Sequence, residues 1–409
     1  MKLTTIDNAP YVNLNSLIHI VNTGDTTQSP DGSSYKAPLS LIVPLFSGGY
    51  WTASTGTNAI IVTNSDSVAS GTLSLGMGYQ TTASGNFSHA EGQLTTAIGQ
   101  QGHAEGYFVI ASGDSSHAEG VATKSSGIAS HTEGAYTTAI GQASHAEGVQ
   151  TIAIANGSHA EGYSTSSLDD YSHAEGFSTT ASAIASHAEG NLTVASGNYS
   201  HAEGNNTIAN NNNSHSEGNN TLALGEQSHA EGNNTTAINQ SSHSEGSNTT
   251  AIGQNSHAEG FLTTAQGDSS HSEGIATRAS NIASHAEGAY TTAIGQASHA
   301  EGVITTAIGN GSHSEGYNTT ASGAYSHAGG NNSTAISTDS FIHSTNSTVT
   351  GNRSVVLGGQ GITGSVNDTV YGPKFESAQN GEGVVMKSPN GTRWKLTISN
   401  AGTVSVVLA

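Results

Sequence analysis

A chain of 409 residues with 33% hydrophobic residues, 5% aromatics and 52 glycines has too little bulky apolar matter for an ordinary globular core of that length. A formal net charge of −21 argues against binding to nucleic-acid phosphates, and the absence of cysteine excludes disulfides, thiolate metal sites and cysteine nucleophiles. No run approaches the roughly 18 consecutive apolar residues of a membrane-spanning helix, and the opening MKLTTIDNAPYVNLNS lacks the apolar stretch of a secretory signal, so a secreted destination would need another exit route, such as host lysis.

Residues 1–58 read as an N-terminal attachment or capping module. Leu17 to Val21 is apolar and β-branched, a predicted strand. Gln28 to Gly32 is a turn, Leu39 to Phe46 a second apolar run, and Gly48 to Asn58 the junction to a long repetitive region.

Residues 59–366 are a strict repeat of fourteen, S-H-A-E-G-x-x-T-x-A-x-G-x-x. A histidine recurs at that interval from His89 to His327, in eighteen units. The fifth position is always Gly; the fourth is Glu except at Gly329; the first is Ser except at Gly102; the eighth is Thr except at Val109 and Ser333. Each half-unit alternates small residues with period 2, the period of a strand. The pattern predicts two five-residue strands per coil joined by two-residue turns, with positive φ at the Gly or Asn of positions five and twelve. Stacked coils make a parallel solenoid of roughly 22 turns, on the order of 100 Å long at the spacing of β-strands. First, third, eighth and tenth positions (Ser284, Ala286, Thr291 and Ala293 in one coil) point inside, and stacked threonines are expected to hydrogen-bond up the ladder. Ile128 to Val149 closely matches Ile282 to Val303, 154 residues further on, as a duplicated block of eleven coils would.

Two faces remain outside. The ninth and eleventh positions vary freely (Thr96 and Ile98, Lys124 and Ser126, Arg278 and Ser280), which fits water. The His and Glu positions barely vary. They are His89 and Glu91, His117 and Glu119, His145 and Glu147, His201 and Glu203, His257 and Glu259, His299 and Glu301, and their equivalents. At the ends they turn apolar: Leu75 and Met77 upstream, Phe341, Val355 and Leu357 downstream. A face uniform in the middle and apolar at its ends is expected to pack against another copy of the chain.

Ser354-Val355-Val356-Leu357-Gly358 resembles the SVAIG-type repeat of YadA-like trimeric autotransporter adhesin heads, and the likeness of period and small-residue frame covers about residues 60–366. The resemblance implies an all-β, left-handed parallel β-roll of fourteen-residue coils, three chains around one axis, with the second and fourth positions of the pentapeptide facing that axis. Here those positions are mostly His and Glu instead of two aliphatics. SHAEG-type arrays are also similar to those of bacteriophage and prophage tail-fibre and tail-appendage proteins. Together these imply a homotrimeric fibre, located on a virion or an extracellular appendage.

Residues 367–409 read as a C-terminal cap or tip. Val384 to Lys387, a turn at Ser388 to Gly391, and Trp394 to Ile398 form a predicted hairpin, with a further strand from Val404 to Leu408. Such ends nucleate a trimer or contact a receptor.

The His–Glu ladder admits three readings: an interleaved network of imidazole and carboxylate on the axis, with the histidines protonated or neutral; an axial metal ion, the only cofactor the residues suggest; or a solvated polar row. Were all 20 histidines protonated, the net charge would move from −21 to −1. Catalysis is not expected, because adjacent Ser and His on a strand face opposite ways and an active site needs one asymmetric constellation. An outward threonine row of the ice-binding kind is broken by Ile152, Lys124, Leu222 and Arg278. Asn205-Asn206 and Asn210 to Asn213 read as turn chemistry. The sixth-position aromatics Tyr107, Tyr163, Phe177, Phe261 and Tyr317 sit on a turn edge, open to a neighbouring subunit or to carbohydrate. The functional expectation is a rigid trimeric spacer or adhesin of a phage tail fibre or phage-like appendage. Its alternatives are a bacterial surface adhesin or filament subunit polymerising end to end, and a metal-binding repeat scaffold. Expected partners are further copies of the chain, other appendage proteins, and a host receptor or glycan.

Overall fold

Small residues at every second position give the chain one regular element, the strand. The computed structural model describes residues 2–3, 17–22, 33–38, 51–62, 66–374, 384–399 and 401–408, and the regular structure among them is all β. Most coils have a five-residue strand on positions two to six, such as His89–Gln93, cut to two residues at His299–Ala300 and His313–Ser314, and a second of only two residues on positions nine and ten, such as Thr96–Ala97. The second strand is shorter than the pattern predicts because positions eleven to fourteen are taken up in a turn. Ser88 closes that turn: its backbone N–H and its Oγ both donate to the carbonyl of Gly85, the hydroxyl at 2.7 Å. The first-position serine is thus a turn-closing group as well as an inward one.

The positive φ angles correct a second expectation. They fall at the fifth position, as predicted, but otherwise at the seventh and fourteenth instead of the twelfth; Leu94 and Gln101 both sit at φ 59°. Most of these left-handed residues are not glycine. Each is held by a ladder bond from its N–H to the coil before, Leu94 to Tyr79 O at 3.0 Å and Gln101 to Asn86 O at 2.8 Å. Asn and Asp at the thirteenth position add a side-chain rung: Asp114 Oδ1 accepts from Gln100 N, and Asn156 Oδ1 from Gln142 N. Asn206 and Asn213 lie in the left-handed region, and Asn205 donates to Asn219 at 2.7 Å, so the asparagine-rich stretches serve the turns. The fifth-position glycine is needed twice over. Gly190 has φ 113°, and a Cβ there would stand 2.2 Å from the carbonyl oxygen of Gly204.

The chain divides between Glu231 and Gly232 into two units, and the same coil is built in both. In the first unit, Lys2–Leu3, Leu17–Asn22 and Ser33–Pro38 form an antiparallel sheet, so the strand read at Leu17 to Val21 is present. The predicted turn at 28–32 and the apolar run at 39–46 lie outside the described residues. Residues read as a junction include a strand, Trp51–Ala53, antiparallel to Ile60–Val62, which in turn starts the parallel stack against Leu75 and Gly76. From there the coils stack in register, position on position: Leu75 on His89, Met77 on Glu91, then His89 on His103 and Glu91 on Glu105.

In the second unit the coils stack in the same register, from His243 on His257 to His313 on His327, then Phe341 and Val355. Val384–Lys387, Arg393–Ile398 and Val404–Leu408 form an antiparallel sheet, the predicted hairpin and strand.

The core is a column of small side chains. Ser284, Ala286, Thr291 and Ala293 are buried, as are their equivalents in nearly every coil. The threonine ladder is not made: Thr95, Thr123 and Thr137 have no hydroxyl partner within the chain. At the start of the roll one such inter-coil bond does form, Thr81 Oγ1 donating to Ser67 Oγ at 2.8 Å. The eighth-position hydroxyl is instead satisfied where the third position is Ser, as in Ser244 with Thr249 at 2.8 Å. Towards the end of the second unit the core becomes larger, with Ile342, Val349 and Val356 packed against Ile362 and Tyr371.

Candidate functional site: the histidine–glutamate face

Parallel register brings like residues together, so the second and fourth positions form two adjacent rows on one face of each unit. In the first unit the imidazoles stack, His89 on His103 with centroids 4.7 Å apart and planes 6° from parallel, and His145 on His159 at 4.7 Å and 2°. Most Nε2 atoms point to the carboxylate two residues on: His89 to Glu91 at 3.6 Å, His117 to Glu119 at 3.8 Å, His145 to Glu147 at 3.8 Å, His201 to Glu203 at 3.9 Å. These are ion-pair distances, longer than charge-assisted hydrogen bonds.

In the second unit the pairing shifts by one coil. His257 still reaches Glu259 at 4.0 Å, but His271 lies closer to Glu259 of the coil before, at 3.4 Å. His299 pairs with Glu287 at 3.5 Å and His313 with Glu301 at 3.3 Å, the latter within hydrogen-bond reach. Both rows are half-buried within the chain, and the predicted end residues Leu75, Met77, Phe341 and Val355 continue the row with similar cover, while Leu357 is 45% exposed.

Burial pushes the imidazoles of His145, His159 and His173 below the usual histidine range; the next imidazole in the stack adds to this and the carboxylates oppose it without prevailing. His285 in the second unit behaves alike. Of the two protonation forms read from the sequence, the chain's own geometry favours the neutral one. A hydrogen bond with Glu273 raises the Glu259 carboxyl, with burial adding to it. Two neighbouring carboxyls thus hold a proton more readily than one.

In the second unit the regular stack breaks at His327. His313 and His327 meet edge to face, with planes 88° apart, and His327 stacks on Phe341 instead, at 4.5 Å. This is the coil where Gly329 stands in place of Glu. Glu315 there faces two imidazoles, His327 Nε2 at 3.3 Å and His343 Nδ1 at 3.4 Å. Burial alone would raise the Glu315 carboxyl, but a hydrogen bond with Glu301 and the surrounding imidazoles bring it below the usual range. Glu301, Glu315, Gly330 and His343 line an open hollow of about 600 Å³. The sequence marked Gly329 as an exception but offered no reason for it.

The other outer face is mixed, as expected: Lys124 and Arg278 are exposed, yet so are the isoleucines Ile98, Ile140 and Ile154. The sixth-position aromatics are exposed on the turn edge, and two of them, Tyr163 and Phe177, stack on each other at 5.2 Å. Serine and histidine do face opposite ways: Ser284 is buried and its Oγ donates to Asn281 O at 2.6 Å.

The class so defined is a parallel β-solenoid of fourteen-residue coils with a uniform His–Glu face. The family model of the YadA head domain repeat matches residues 69–88, 133–154, 188–210, 216–238, 244–260, 286–312 and 314–336, so the coils in these segments are similar to YadA head repeats. No curated protein matches the chain.

Proposed function

We propose that this chain is a structural fibre protein: three copies meet along the His–Glu face and form a rigid spacer or adhesin shaft of a phage tail fibre or phage-like appendage. One observation carries the reading. The face is uniform, in register and only half-covered by its own chain, and its rows end in Leu75 and Met77 on one side and Phe341, Val355 and Leu357 on the other. Apolar side chains continuing a polar row gain from burial at about 25 cal/mol per Å², which a second and third copy supply. The YadA-type repeat supports the same reading. On the axis, His89, Glu91 and their equivalents would interleave, neutral imidazoles donating N–H to carboxylates that otherwise repel. Mass measurement in solution with negative-stain imaging tests it. The expected result is discrete rods of three times 41.2 kDa. A monomer would overturn the proposal, and open-ended polymers would move it to a filament subunit.

A further inference from the structure

We propose that the break at Gly329 is a binding site for one divalent transition-metal ion of the zinc or cobalt kind, held by Glu315 Oε1, His327 Nε2 and His343 Nδ1. These three atoms come from three successive coils and converge on the space a fourth-position side chain would fill. A Cβ built on Gly329 would stand 2.6 Å from His343 Nδ1, 2.9 Å from Glu315 Oε1 and 3.2 Å from His327 Nε2. The carboxylate oxygen lies 3.3 and 3.4 Å from the two nitrogens. Ligands about 2.1 Å from a tetrahedral zinc are about 3.4 Å apart, so both edges already have the required length. Two imidazoles and one carboxylate suit metals of borderline softness, and three protein ligands leave a fourth position for water.

The regular ladder is less well arranged. The donor atoms of His159, Glu161 and His173 lie within 4.8 Å of one another, but those rings are stacked 4.6 Å apart. Each Nε2 also has one lone pair, and in the run from His159 to His201 the interior histidines belong to two such triads. At the break, the right-angled turn of His327 and the missing side chain of Gly329 remove both obstacles. The site is built from one chain's atoms, so it stands or falls apart from the assembly proposed above.

Cobalt(II) titration of the full chain, after chelator treatment, tests the assignment by dialysis and visible d–d absorption. The expected result is one saturable ion per chain, displaced by zinc and not by magnesium. Gly329→Ala places a methyl among the ligands and should weaken binding at least tenfold. His343→Gln should do the same, and at 57% side-chain exposure it leaves the core untouched. Lys124→Gln, exposed on the other outer face, should leave cobalt uptake unchanged. Absence of saturable uptake would overturn the proposal. So would uptake spread at several ions per chain that Gly329→Ala and His343→Gln leave intact, the mark of general adsorption to the histidine row.

Discussion

At the scale of the residue, the repeat is a set of positions each with one steric or electrostatic job. The fifth-position glycine is the least replaceable, because its φ and its distance from the next coil both exclude a side chain. Gly190→Ala is expected to lower stability by about 2–3 kcal/mol, read as a shift in the denaturation midpoint at unchanged slope. The histidines set the pH response. At His145, His159, His173 and His285 burial holds the folded-state pKa below the unfolded value of about 6.5, so on acidification these groups take up protons first in the unfolded chain. Stability is therefore flat above about pH 7 and falls as pH drops through 6.5 towards the folded values. A melting series from about pH 8 to 5 checks this; melting temperatures that rise on acidification would show carboxylates prevailing over burial.

At the scale of the element, a coil is two unequal strands joined by turns that place ordinary L-residues in the left-handed region. Each such residue costs about 1–2 kcal/mol relative to glycine, offset by the inter-coil bond of its amide. The cost is largest where the residue is β-branched, and Ile304 at φ 59° is such a case. The next coils use asparagine at this position and link it: Asn318 donates to Asn332, and Asn332 to Asn346, both at 2.7 Å. Ile304→Asn should extend that ladder by one rung and raise stability by about 1 kcal/mol. Thermal melting of the full chain reads the gain; a loss would mean that Ile304 is buried in the assembly.

At the scale of the molecule, assembly depends on which outer face a second copy covers. The His–Glu face is uniform with apolar ends; the other carries isoleucines among exposed Lys124 and Arg278. Leu75→Asp with Met77→Asp should reduce the trimer fraction at a given concentration at least tenfold more than Thr96→Asp with Ile98→Asp, measured by sedimentation. Equal effects, or the reverse order, would move the interface to the isoleucine row.

Much of the fold was legible in the sequence because a fourteen-residue period with small residues at alternate positions leaves few solutions. It determined the strand direction, the inward set of Ser284, Ala286, Thr291 and Ala293, and the gathering of His and Glu into one face. It misplaced the left-handed residues and overcounted the second strand, since turn geometry depends on hydrogen bonds between coils that no single coil displays. Only the tertiary structure decided that Ser88 closes a turn, that Thr95, Thr123 and Thr137 do not bond up the ladder, and that burial outweighs carboxylates at His145, His159 and His173. It alone showed that Gly329 leaves an opening between Glu315, His327 and His343. A missing side chain carries no signal of its own, and its consequence lies in atoms of the coils on either side, brought together by stacking.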